Sequence, residues 1–229
     1  MSTWRKVVCC LALVAGVSFT ASATTYHVTP GATAGSGDGL SWGSPTTLTE
    51  AIALAETDDV ILCKAGEYPT VAKSGSPLSS FLVAKAITIR GGLKGTDDVT
   101  LDETSPFSTF TAPEASVNIF NVTTGSGTAV FENLKLTGVQ AYNQASAIRK
   151  TGNGSIEIRK CQIVNNKNTF TNAQGEGLYL SGNASATALI ADCSFEGNIA
   201  TSNPKNYGQA LVLNTFNLNS AVEDFSIAA

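Results

Sequence analysis

Ile156-Glu-Ile-Arg-Lys-Cys-Gln-Ile163 and Ala188-Leu-Ile-Ala-Asp-Cys-Ser-Phe195 lie over one another without a gap, at an offset of 32. Ala129-Val-Phe-Glu-Asn-Leu-Lys-Leu136 fits the same frame at an offset of 27 before the first, and Ser220-Ala-Val-Glu-Asp-Phe-Ser-Ile227 at an offset of 32 after the second. Three columns are apolar throughout: Phe131, Ile158, Ile190 and Val222; Leu134, Cys161, Cys193 and Phe225; Leu136, Ile163, Phe195 and Ile227. Between the first two runs a polar column, Asn133, Lys160, Asp192 and Asp224. In one flat strand, side chains alternate strictly, so residues three apart such as Ile158 and Cys161 would face opposite ways. Both can face inward only if the polar residue turns a corner between two short strands.

Around this frame the other elements are short β runs broken by Gly, Ser, Asn and Asp. Gly175-Glu-Gly-Leu-Tyr-Leu180 and Gly208-Gln-Ala-Leu-Val-Leu213 supply a third β piece per repeat, offset by 33. Strands without intervening helices exclude alternating β and α units and leave a sandwich, a barrel or a solenoid. The repeat favours a solenoid, in which each turn buries its apolar face by stacking on its neighbours. One helix is expected over Thr47–Glu56, with Thr47 and Glu50 forming a capping box and Leu48, Ile52, Leu54 and Ala55 its apolar stripe. It precedes the first coil strand, Val60-Ile-Leu-Cys-Lys64, and is expected to plug the N-terminal mouth.

Arg5 and Lys6 followed by the apolar run Val7–Phe19 read as an export signal, too short for an ordinary membrane span, with cleavage expected after Ala21-Ser-Ala23. An uncleaved anchor is the alternative. The organisation is then residues 1–23 as signal peptide and 24–229 as one domain, with 24–58 as cap and 59–229 as coils, truncated or uncapped at the C-terminal end. No transmembrane segment is expected in the mature chain. The formal net charge is −4 with two of the basic residues in the leader, so there is no basic cluster for nucleic acid. Cys63, Cys161 and Cys193 survive cleavage, an odd number that describes no disulfide scaffold. Cys161 and Cys193 are either reduced, stacked small hydrophobes or a bridge between coils.

His27-Val-Thr-Pro-Gly31, Gly37-Asp-Gly-Leu-Ser-Trp42, Leu48-Thr-Glu-Ala-Ile52 and Asp59-Val-Ile-Leu-Cys-Lys-Ala-Gly-Glu-Tyr68 resemble the N-terminal region of exported β-helix proteins of the pectate-lyase-like superfamily. Ala86-Ile-Thr-Ile-Arg-Gly-Gly92 is similar to a second coil of that group. Cys161-Gln-Ile-Val-Asn-Asn166 and Cys193-Ser-Phe-Glu-Gly-Asn198 resemble the passenger repeats of polymorphic outer-membrane proteins. The resemblance implies an all-β fold, a right-handed parallel β-helix with an N-terminal capping helix, in a secreted or outer-cell-surface protein of bacterial-type export. Proteins of this kind include adhesins, lyases and hydrolases, so the fold does not select a chemistry.

Reactive chemistry is sparse. A lyase needs a base, a group to stabilise developing charge and often calcium on several carboxylates. Asp192 and Asp224 as catalytic or metal-binding carboxylates, with Arg159 as the cation, are the candidates, and calcium enters only with them. A solvated corner column accounts for the same residues. Asp58, Asp59, Asp97 and Asp98 read as turn formers. The single histidine, His27, is expected to fray with the terminus, and Trp42 and Tyr68 to pack around the cap. The leading expectation is a non-enzymatic scaffold, adhesin-like or polysaccharide-binding, meeting an extracellular polysaccharide or host surface protein through its flank or through the corner loop 166–175. The alternatives are a polysaccharide lyase or glycoside hydrolase acting on acidic glycans, and the N-terminal fragment of a longer surface protein. End-to-end self-association through the last coil is a further expectation.

Overall fold

Asn133, Lys160 and Asp192 adopt left-handed backbone angles, with φ of 54°, 51° and 54°. Each sits between two strands, so the polar column is a corner. In the computed structural model the described residues are 22–69, 79–104, 106–112, 118–141, 146–168, 177–200, 210–214, 221–223 and 226–228. The expected leader lies almost wholly outside them, as do Asp224, Phe225 and residues 169–175 of the corner loop.

Three parallel sheets run the length of the molecule. The first has seven strands: Thr25–Val28, Val60–Lys64, Thr88–Leu93, Thr128–Glu132, Ser155–Arg159, Ala188–Ala191 and Ala221–Glu223. The second has six, from Gly66–Pro69 to Ser226–Ala228, and the third has five, from Ser79–Val83 to Leu211–Asn214. Two-residue strands Gln140–Ala141, Lys167–Asn168 and Ile199–Ala200 make a small fourth sheet. From Val60–Lys64 onward successive strands enter successive sheets, and each sheet pairs one coil with the next. This is a parallel β-helix.

The register carries the repeat offsets. Ile158 pairs with Phe131 on one side and Ile190 on the other, and Ile190 with Val222. Ile163 pairs with Leu136 and Phe195, and Phe195 with Ile227. Phe131, Ile158, Ile190, Leu136, Ile163 and Phe195 are buried, as are Leu134, Cys161 and Cys193 at the corner. A left-handed residue rotates the chain enough that Cys161 follows Ile158 into the interior. A second left-handed column, Gly138, Asn165 and Gly197, makes the next bend. Towards the N-terminal end the interior is aromatic: Tyr68 stacks on Phe110 at 4.9 Å between ring centroids, and Phe110, Phe120 and Phe131 follow at 5.4 and 5.1 Å.

The helix spans Leu48–Leu54. Thr47 accepts from the Glu50 amide while the Glu50 carboxylate accepts from the Thr47 amide, a complete capping box. The helix touches the first strand of the third sheet and the first two strands of the first sheet, closing the N-terminal mouth. Its inward stripe differs from expectation: Leu48, Ala51 and Ala55 are buried, Ile52 packs at the margin, and Leu54 is 54% exposed. Leu48, Ala51 and Ala55 are three and four apart and so share a face, and Leu54 lies beside it. His27 also corrects its expectation. It does not fray; it is buried in Thr25–Val28, which pairs with Val60–Lys64.

Candidate functional site

The outer face of the seven-stranded sheet carries Arg159 together with Arg90, Glu132 and Glu157. Alternation sends every second residue outward, and the register aligns these as a file: His27, Leu62, Arg90, Glu132, Arg159 and Ala191. Arg159 donates from Nε and Nη2 to Glu157 Oε2 at 3.0 and 2.9 Å. Glu132 sits 3.7 Å from both Arg90 Nε and Lys160 Nζ. Both carboxylates on this strip are therefore held by cations, Glu157 by Arg159 and Glu132 between Arg90 and Lys160. Such half-exposed pairs contribute about 0–1 kcal/mol each, so they set surface charge more than stability.

Arg159 is registered opposite Ala191, one residue before Asp192. Asp192 is exposed at its corner, and Asp224 lies outside the described residues. Among the described residues no three His, Cys, Asp or Glu side chains converge to hold a metal ion. Nor is any helix there long and apolar enough to cross a membrane.

At the cap end of the same face stands a constellation that sequence reasoning missed. His27 projects from the first strand. Its Nδ1 faces the Gly39 carbonyl at 3.1 Å and its Nε2 faces Asp98 Oδ1 at 2.8 Å. Both neighbours are acceptors, and each ring nitrogen lies within hydrogen-bonding distance of one of them. The Trp42 indole N–H donates to the same Asp98 Oδ1 at 3.0 Å, and the Trp42 and His27 rings meet edge to face with centroids 4.7 Å apart. Leu40, Ser41, Thr96 and Asp97 complete an open depression around these three. Asp97 caps its own turn, accepting from the Val99 and Thr100 amides and the Thr100 hydroxyl; these bonds hold its carboxyl below the usual range. Asp98, read as another turn former, makes a tertiary contact instead. The repeated Thr-Asp-Asp-Val at 57–60 and 96–99 is the one local signal pointing at this motif, and it names no partner.

Two interior polar features are structural. Asn166 is wholly buried, accepting from the Val139 amide at 3.1 Å and donating to Leu136 O at 3.2 Å. Lys150 occupies an inward position between Val122 and Leu180 and donates to the Gly152 and Ser181 carbonyls. Burial lowers its pKa from 10.5 to about 8. Cys63, Cys161 and Cys193 are free and buried, and loss of solvent pushes the Cys63 and Cys161 thiols far up.

No curated protein and no solved structure matches the chain. A protein family does: the one described as "Protein of unknown function (DUF1565)" matches residues 34–224, from the loop ahead of the helix to the last coil. That span takes in the coils and most of the cap, and on it the chain belongs to the DUF1565 family.

Proposed function

We propose that this chain is an exported, non-catalytic β-helix scaffold that holds an uncharged extracellular polysaccharide along the outer face of its seven-stranded sheet. The observation that carries this reading is the strip of Arg90, Glu132, Glu157, Arg159 and Lys160, in which both carboxylates are held by cations. A carboxylate already bound to a guanidinium two residues away is a poor general base, and a strip of three cations and two carboxylates keeps a net charge of only +1, a weak field for selecting a charged polymer. A long face of stacked strands repeating every coil suits a polymer that also repeats. The basic and apolar leader, and the resemblance to exported proteins of the pectate-lyase-like superfamily, support export and a place on or outside the cell surface.

Affinity electrophoresis tests the reading. Gels containing dextran, mannan or soluble xyloglucan are expected to retard the protein with at least one of them. Val130 and Leu189 are half-buried on the same outer face, in strands that both pair with Ser155–Arg159. Val130→Arg with Leu189→Arg should abolish the retardation while circular dichroism is unchanged. Equal retardation of the double variant, or none of the wild type in any gel, contradicts the reading.

A further inference from the structure

We propose that the depression at His27, Trp42 and Asp98 is a subsite for one neutral pyranose residue. It rests on the reading above, and fixes where on the face a sugar is gripped and by what. The first observation is the division of labour within the Asp98 carboxylate. Oδ1 takes both protein bonds, from His27 Nε2 and Trp42 Nε1, at 2.8 and 3.0 Å. Oδ2 has no hydrogen-bonding partner among the described residues, and the side chain is 52% exposed. One oxygen is locked and the other is presented, which is the arrangement needed to accept a hydroxyl at a fixed direction.

The second observation is apolar. Trp42 is half-buried, with its indole N–H engaged and its body lining the depression, and Leu40 beside it is 56% exposed. A pyranose has one face of C–H groups and a rim of hydroxyls, so an indole with an adjacent carboxylate oxygen meets both sides of its chemistry. The third is rigidity. His27 is buried in a paired strand and fixes Asp98 from below, while its Nδ1 ties down the Gly39 carbonyl of the loop carrying Leu40 and Trp42. Segments far apart in the chain are thereby held in one geometry before any ligand arrives, which lowers the ordering cost of binding.

A cationic ligand is the competing class, since an aromatic ring beside carboxylates also suits an ammonium group. It is disfavoured because the Asp97 carboxylate is occupied by its own turn, and Asp98 faces a histidine able to donate from Nε2.

The test uses the full chain with Trp4→Phe, leaving Trp42 as its one tryptophan. The methyl glycosides of glucose, galactose, mannose and N-acetylglucosamine are titrated against its fluorescence, with tetramethylammonium chloride in parallel. At least one glycoside should give a saturable change, and the ammonium salt none. Asp98→Asn keeps an oxygen for His27 and Trp42 and replaces the presented acceptor with a donor, so it should weaken binding about tenfold or more with melting unchanged. No saturable change with any glycoside, a change with the ammonium salt alone, or equal affinity in Asp98→Asn overturns the subsite. Polymer retardation that survives Asp98→Asn together with such a result leaves the scaffold reading standing and removes only this one. Loss of polymer binding in the Val130→Arg/Leu189→Arg variant with glycoside binding intact supports both.

Discussion

Asn166 Nδ2 donates to Asn198 Oδ1 at 2.9 Å, one coil along, and Asn198 Nδ2 reaches back to the Ile163 carbonyl at 2.7 Å. The two amides thus run along the second bend as a ladder and satisfy backbone groups that the left-handed residues beside them, Asn165 and Gly197, leave out of the strands. Truncating Asn166 to Ala strands the Val139 amide and the Leu136 carbonyl in the interior, at about 1–3 kcal/mol for each unsatisfied group. Urea unfolding of Asn166→Ala is expected to show a loss of about 2–6 kcal/mol. A change under about 0.5 kcal/mol, the size seen for ordinary surface substitutions, would mean that the ladder contributes nothing.

Lys160 holds φ of 51° with a full side chain, where its neighbours in the column are Asn133 and Asp192. Left-handed angles cost most residues roughly 1–2 kcal/mol, and Asn tolerates them best after Gly. The ion pair with Glu132 at 3.7 Å offsets little of this. Lys160→Asn should therefore raise the urea midpoint with the slope unchanged, a gain of about 0.5–1 kcal/mol in stability. A lower midpoint would place more weight on Glu132 than the geometry allows.

Two groups make stability rise with pH, in separate windows. Hydrogen bonds from Thr46, the Gly35 amide and Thr47 lower the Glu50 pKa from 4.5 to about 2. Its contribution is complete above 4.5 and is lost as pH falls towards 2, because the unfolded chain takes up the proton first. Lys150 is depressed from 10.5 to about 8, so the unfolded state binds the extra proton between these values and stability rises as pH rises through that window. Glu50→Gln should flatten the acid limb and Lys150→Met the alkaline one, each leaving the other limb in place. Denaturation midpoints measured from pH 2 to 10.5 check both.

The interior cysteines give a chemical reading of burial. In a chain with Cys9→Ala and Cys10→Ala, the remaining thiols are Cys63, Cys161 and Cys193, all buried and free. A thiol reagent should modify none of them in the native state and all three in denaturant, with no disulfide by mass. Cys193→Val, near in volume, should change stability by less than about 1.5 kcal/mol. Rapid labelling of the folded protein would show that the corner opens.

The coils were legible because two demands coincide in the sequence. Apolar residues must recur at one position per coil, and a residue able to turn left must separate them, as Asn133 does between Phe131 and Leu134. Local chemistry also exposed the helix start, since Thr47 and Glu50 answer each other within one turn. The buried stripe departs from its apolar pattern at Leu54, which lies beside the face shared by Leu48, Ala51 and Ala55 and stays exposed. The pair of His27 and Asp98 was invisible because it depends on two loops meeting over the first strand, and nothing local to either residue encodes that meeting. Lys150 was hidden for a related reason: its charge suggests solvent, while the register places it between Val122 and Leu180.

The proposed scaffold holds a glycan without cutting it. Sizing settles this on one sample: the polysaccharide that retards the protein is incubated with it at equimolar sites, with and without calcium, and its chain-length distribution and reducing ends are compared with an untreated control. Bound polymer of unchanged length is the expected result. Shorter chains, new reducing ends or new double bonds, lost on changing Asp192, would contradict it.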